Sequence, residues 1–314
     1  MTGALASLLA ASLAAAPGPG GPPSRPGRAP ATGLVRVEYV EPTDPAHRAA
    51  YERLRDRKVL EPFAEVLGAV RLPRPLTLRF AGCDGEVNAW YDGADRSITF
   101  CYEFVADIER GAEGAAQHGV PREDAVEGPI AFILLHESGH ALFDLLRVPI
   151  LGREEDAADQ VAAYTLLRAG KGVARRALGG AAWMYKRDAA GRKLDESDFA
   201  DVHGLDVQRF YNVLCMAYGS DPGAFGGLVE RGYLPKDRAE GCADEYAQVG
   251  FAVGKLISRN LDPAAAARTR AKHKARWDAP AAPAPTPAAA PVPAPAAAPV
   301  PAPAAAPAPP PGKR

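Results

Sequence analysis

The sequence has no excess of basic charge. Its 37 Lys and Arg stand against 38 Asp and Glu, a formal net charge of −1. That balance gives no electrostatic reason to expect nucleic acid or an anionic membrane as a partner. No apolar run reaches the about 20 residues that a transmembrane helix needs, and no lipid-anchor motif is present. The glycine-containing stretch AGKGVARRALGG lacks the pattern of a phosphate loop and reads as a polar turn region. Cysteine is scarce, four in 314 residues, and none has the Cys-x-x-Cys spacing of a structural zinc site. The four fall in two local pairs, Cys83 with Cys101 and Cys215 with Cys242. Four cysteines allow three connectivities. Because each close pair belongs to one predicted substructure, the expected bridges are 83–101 and 215–242, with four buried free thiols as the alternative. Disulfides would imply an oxidising compartment.

The two ends differ in composition from the middle. Ala4 to Ala16 is apolar, ends in small residues and stops at Pro17, like the core of a signal peptide, although no Lys or Arg precedes it. Residues 1–16 are therefore expected to be a signal peptide and the protein to be exported, periplasmic or extracellular. Residues 17–33 are rich in Pro and Gly and read as a linker. From Ala279 to Arg314 the chain is an Ala/Pro repeat, which favours polyproline II and reads as a disordered tail or spacer. Residues 34–278 remain as one domain, long enough for a sizeable core.

Within that domain the apolar spacing predicts an α+β fold. LVRVEYV alternates and reads as a strand, residues 45–69 have helical spacing, and TLRFAG, VNAWYD and SITFCYEF make three short β runs. The link DGADR reads as a hairpin turn between the last two. A helical segment is expected from Glu103 to about His118, and the half of the domain beyond it is expected to be helical. Gly128-Pro129 marks the expected start of the next helix, IAFILLHESGHALFDLL, which is apolar nearly all round and so must be central and buried. Polar side chains inside such a helix need a reason, and the exceptions are His136, Glu137, His140 and Asp144.

His136 and His140, at i and i+4, share one helical face and can direct two imidazoles at one ion. Glu137 lies about 100° round the helix, unable to ligate comfortably but able to reach a water on the metal as general base. A catalytic zinc needs a third protein ligand and one open position. The positions three and six beyond His140, where a metzincin carries Gly and His, hold Phe143 and Leu146. The other solution is a carboxylate on the next helix, which opens with Glu154, Glu155 and Asp156. Glu155 and Asp159 share a face with Ala158, Ala162 and Leu166, so Glu155 is the expected ligand and Asp159 the acceptor for a ring N–H, on His136 first. Glu154 and Asp156 are the alternatives, with a helix-dipole role if they are not ligands.

His136-Glu137-Ser138-Gly139-His140 followed by Glu155-Asp-Ala-Ala-Asp159 resembles the gluzincin pattern. More narrowly, HESGHALFDLLRVPILGREEDAADQVAAY resembles the DUF4344 metallopeptidase family, over about residues 34–260, with CDGEVNAWYD, ITFCYEF and QRFYNVLCMAYGSDP similar to its other blocks. The resemblance implies a zincin-like fold, a small antiparallel or mixed sheet packed on the active-site helix. It also implies a Zn2+ cofactor, a peptide or protein substrate and hydrolysis by activated water. It brings no particular substrate and no oligomeric state. In gluzincins an Asn-Ala pair on an edge strand lines the cleft; Asn88 and Ala89 stand at such a place, or in an ordinary strand near a hairpin. An oxyanion donor is also needed: His203 is the first candidate, Tyr211 and Tyr218 the next. His47, His118 and His273 read as solvated, and Tyr91, Tyr164 and Trp183 as core. The rival from another class is an exported zinc-binding envelope protein that keeps the site without turnover.

Overall fold

The computed structural model describes residues 34–277, with side chains to Lys272; the expected signal peptide, linker and tail lie outside the described residues. Four strands form one mixed sheet in the order β1-β2-β4-β3: β1 Val35–Tyr39, β2 Leu76–Ala81, β3 Ala89–Asp92 and β4 Ser97–Cys101. β1, β2 and β4 run parallel, while β3 pairs antiparallel with β4 through the expected hairpin. β4 is buried at every position, as an inner strand covered on both faces should be, whereas β2 alternates and β1 exposes Arg36 and Glu38. β3 is an edge strand: among the described residues its far side has no partner strand.

The expected helix over 45–69 is three pieces: a 3-10 turn at Pro45–His47, α1 Arg48–Asp56 and α2 Glu61–Gly68. Lys58 at φ 52° breaks α1 from α2, and Pro62 restarts the chain at the head of α2. His47, read as solvated, has a side chain only 13% exposed, packed near Tyr102 and 3.9 Å from Glu103. The segment after β4 ends earlier than expected: α3 is Tyr102–Gly111, followed by a 3-10 turn at Ala115–His118.

The central helix also differs at its start. α4 is Arg122–Leu146, 25 residues, with Pro129 inside it. Its first turn, Arg122-Glu123-Asp124, is polar and acidic; such residues suit a helix N-terminus through the dipole but carry no apolar periodicity to reveal it. Arg147, at φ 52°, ends the helix in the left-handed region. Beyond it lie α5 Glu154–Ala169, α6 Lys171–Ala189, the short α7 Glu196–Ala200 and α8 Asp206–Ser220. Three one-turn helices follow, α9 Pro222–Phe225, α10 Gly227–Glu230 and α11 Lys236–Ala239, and then α12 Cys242–Leu256 and α13 Pro263–Trp277. No helix among the described residues is long and apolar enough to cross a membrane.

α4 is the axle of this arrangement. It packs against α5 and α6 on one side and against β3 and β4 on the other. Two close approaches set its place. At Gly139 a Cβ would lie 3.1 Å from the Cα of Ala158 on α5, and at Gly180 on α6 a Cβ would lie 2.0 Å from the backbone oxygen of Asp124. Two disulfides complete the frame: Cys83–Cys101 ties the loop before β3 to the end of β4, and Cys215–Cys242 ties α8 to α12. With the absence of a membrane-crossing helix, these bridges are compatible with an exported protein. If the α4–α6 contact sets the position of α4, Gly180→Ala must force two backbones apart. It should cost about 1–3 kcal/mol of stability, read as a lower denaturation midpoint; an unchanged midpoint would mean that this contact does not constrain α4.

Candidate metal centre

α5 and the loop before α8 converge on the polar face of α4. His136 is 2% exposed and Glu137 7%, so both have been taken out of water and need partners. The Nε2 atoms of His136 and His140 lie 3.2 Å apart, one turn from each other. Glu155, in the first turn of α5, brings Oε2 to 3.1 Å from His136 Nε2 and 3.3 Å from His140 Nε2. Zinc held tetrahedrally at about 2.0–2.1 Å keeps its donor atoms about 3.3 Å apart. The triangle therefore has the dimensions of three corners of such a site, and its donor set of two imidazoles and a carboxylate suits zinc. Gly139 matters here, since its missing side chain lets α5 come close enough for Glu155 to reach.

The outer nitrogens of both rings are also held. His136 Nδ1 lies 2.8 Å from Asp159 Oδ1, and His140 Nδ1 lies 2.8 Å from Glu154 Oε1. These contacts turn both Nε2 atoms toward the common point. The three acids opening α5 thus separate by position: Glu155 meets both Nε2 atoms, Glu154 supports His140 from outside, and Asp156 faces a neighbouring cavity of about 430 Å³. The two supports differ in setting, because Asp159 is buried and Glu154 exposed.

Charge is distributed accordingly. Burial opposes a proton on His136, but the Asp159 and Glu155 carboxylates outweigh it and raise the imidazole to about 9. Burial pushes the Glu137 carboxyl above the ordinary range. In spite of their burial, Glu155 is held well below it by hydrogen bonds from three histidines, and Asp159 is lowered by Arg209 and His136.

His203 is the third histidine. It sits in the loop before α8, with Nε2 3.0 Å from Glu155 Oε2 and Nδ1 3.0 Å from Asp201 Oδ1. Arg153, just before α5, donates to its backbone oxygen at 3.2 Å and so ties the loop to α5. The other oxyanion candidates lie elsewhere: Tyr211 lines the cavity with Asp156 and Arg238, and Tyr218 packs against the core. On the sheet side, the backbone of Tyr91 in β3 lies beside the Glu137 carboxylate. The Tyr91 hydroxyl donates to Asp144 Oδ2 at 2.7 Å, while the residue packs against the hydrophobic core. Asn88 is exposed, its amide donating to Glu86 and its own oxygen accepting from the Ala89 N–H; Ala89 is buried at the start of β3.

Sequence reasoning passed over Asp201, the Tyr91–Asp144 contact and above all Arg209, which donates to both oxygens of Asp159 at 2.7 and 2.8 Å. A signal for Arg209 was present: it lies on the helical stripe of Val213 and Met216, a charge on a buried face.

Residues 39–254 match the model of the family DUF4344, described as "Putative metallopeptidase". The chain belongs to this family. That description implies a metal and a peptide substrate. No curated protein and no solved structure matches the chain significantly.

Neutralising the buried support should loosen metal more than neutralising the exposed one. If the triangle holds zinc, Asp159→Asn is expected to weaken its binding about 10–100-fold, and Glu154→Gln by much less, in competition titrations against a chromophoric chelator. Equal losses in the two variants would count against the role given to burial.

Proposed function

We propose that the chain is a zinc-dependent peptidase with a zincin-like domain, exported behind residues 1–16 and followed by an Ala/Pro tail. His136, His140 and Glu155 would hold the metal, with Asp159 behind His136. The observation that carries this reading is the donor triangle of 3.1, 3.2 and 3.3 Å with an unligated, buried carboxylate beside it. When bound, the metal would supply a Lewis acid that polarises the scissile carbonyl and acidifies water.

The chain's own residues would do the rest. Glu137 places Oε1 3.9 Å from His136 Nε2, farther than the spacings within the triangle but at its edge. Its burial makes it a stronger base than an exposed glutamate. It would accept a proton from the attacking water and deliver it to the departing amine nitrogen. A purely structural metal site has no use for such a group, which favours catalysis over the binding-protein reading. His203, held by Asp201, faces the same Glu155 oxygen from the open side and would donate to the oxygen that gains negative charge. The free edge of β3, from Asn88 and Ala89 to Tyr91, would align an extended peptide by main-chain hydrogen bonds.

Glu137→Gln should keep zinc at wild-type stoichiometry and lose about 10²–10⁴ in turnover on a peptide library. His203→Ala should lose about 10²–10³ in kcat with little change in metal content. Wild-type-like turnover in the Glu137 variant would overturn the mechanism. A wild-type chain that holds zinc yet cleaves nothing across the library would favour a non-catalytic zinc-binding protein.

A further inference from the structure

Arg209 is the buried cation nearest the centre, 9% exposed, and it touches none of the three donor atoms. It comes from α8 and grips Asp159 on α5 with a planar fork: Nε to Oδ2 at 2.8 Å and Nη2 to Oδ1 at 2.7 Å. Below the fork, its guanidinium carbon lies 4.6 Å from the ring centroid of Tyr185 on α6, a fully buried side chain. One line of contacts thus crosses four helices, from Tyr185 through Arg209 and Asp159 to His136 on α4. We propose that Arg209 is a positioning residue for the metal: by fixing the plane of the Asp159 carboxylate it sets the orientation of the His136 ring. This rests on the proposed reading of His136 as a ligand.

The argument is geometric. Oδ1 of Asp159 serves both Arg209 and His136 Nδ1, while Oδ2 serves Arg209 alone. With both oxygens tied, the carboxylate cannot rotate about its last bond, and Oδ1 stays aimed at the imidazole. A ring whose Nδ1 is fixed presents Nε2 in one direction only. Without the fork, a buried carboxylate would keep a single partner and be free to turn. A lysine would preserve the charge and lose the plane, since an ammonium is a point donor rather than a fork. Among the described residues His140 has no comparable device, because its support, Glu154, is exposed.

The test uses the full chain and zinc itself. Zinc affinity is measured by chelator competition for wild type, R209M, R209K, D159N and the double variant R209M/D159N, beside the melting temperature of each metal-free protein. R209M is expected to bind zinc about 10–100-fold more weakly, with R209K falling between it and wild type. The double variant should bind no more weakly than D159N alone, because the two residues act through one contact. If R209M does not fold, R209K decides: a weaker site supports the inference, and a wild-type affinity overturns it. A lower melting temperature with unchanged affinity in the folded variants would make Arg209 a packing residue only, and the inference would fall. A wild-type chain that takes up no zinc would overturn the metal reading and this inference with it. Wild-type uptake with unaltered R209M and R209K overturns the inference alone.

Discussion

The rest of the site depends on one buried carboxylate. Asp159 is 7% exposed and lies between an imidazole and a guanidinium. Taking a carboxylate out of water costs several kcal/mol even after relaxation, and only well-formed ionic hydrogen bonds return it. Those bonds are short and come from two other helices, so α4, α5 and α8 can reach low energy only in one mutual arrangement. That arrangement also brings Glu155 under the two Nε2 atoms. The same contact thus settles where three helices sit and where three donor atoms meet.

The sheet has a different part. β4 is buried throughout and anchors the core, while among the described residues β3 is left at the edge with its outer side unpaired. An unpaired edge is a hazard for a soluble domain, and here the approach to it is restrained. The Cys83–Cys101 bridge closes the loop before β3, and the Glu103 carboxylate accepts the backbone N–H groups of Cys83 and Gly85. Those hydrogen bonds hold the Glu103 carboxyl below its usual range against the cost of burial. The loop is pinned twice, and the backbone of Tyr91 in β3 lies beside Glu137. An edge that is kept open and rigid beside a buried carboxylate is suited to receiving an extended chain.

What could be read from residues alone follows the range of the interaction. The four strands, the β3–β4 hairpin and the central helix were legible because burial imposes a period of two or an all-round apolar surface. So were the two cysteine pairs, through their local spacing. The α+β class followed from these elements, and the pairing of Glu155 and Asp159 came from helical spacing. Boundaries set by polar residues were not legible. The first turn of α4 carries charges, and Pro129 looked like its start although the helix runs through it. Nor was the contact of Asp159 with Arg209 legible. Asp159 and Arg209 are 50 positions apart, and only the packing of α8 on α5 makes them neighbours. His47 was misread for the same reason, since its burial comes from α3 and not from its own turn.

The two histidines of the motif are chemically alike and differently housed, and that difference gives the site a direction. His136 is almost wholly buried, backed by Asp159 and behind it Arg209 and Tyr185. His140 is partly exposed and backed by an exposed glutamate. Glu155 spans both, and His203 reaches it from a side chain 45% exposed. Rigidity therefore lies on the His136 side and access on the side of His140 and His203. A metal held by this triangle would be gripped from within by groups that cannot turn. Water and substrate would approach between the edge of β3 and the loop carrying His203, where Glu137 and His203 flank the opening. A donor triangle alone would fit a structural metal equally well; the proposed base Glu137 and the proposed donor His203 beside it fit hydrolysis better.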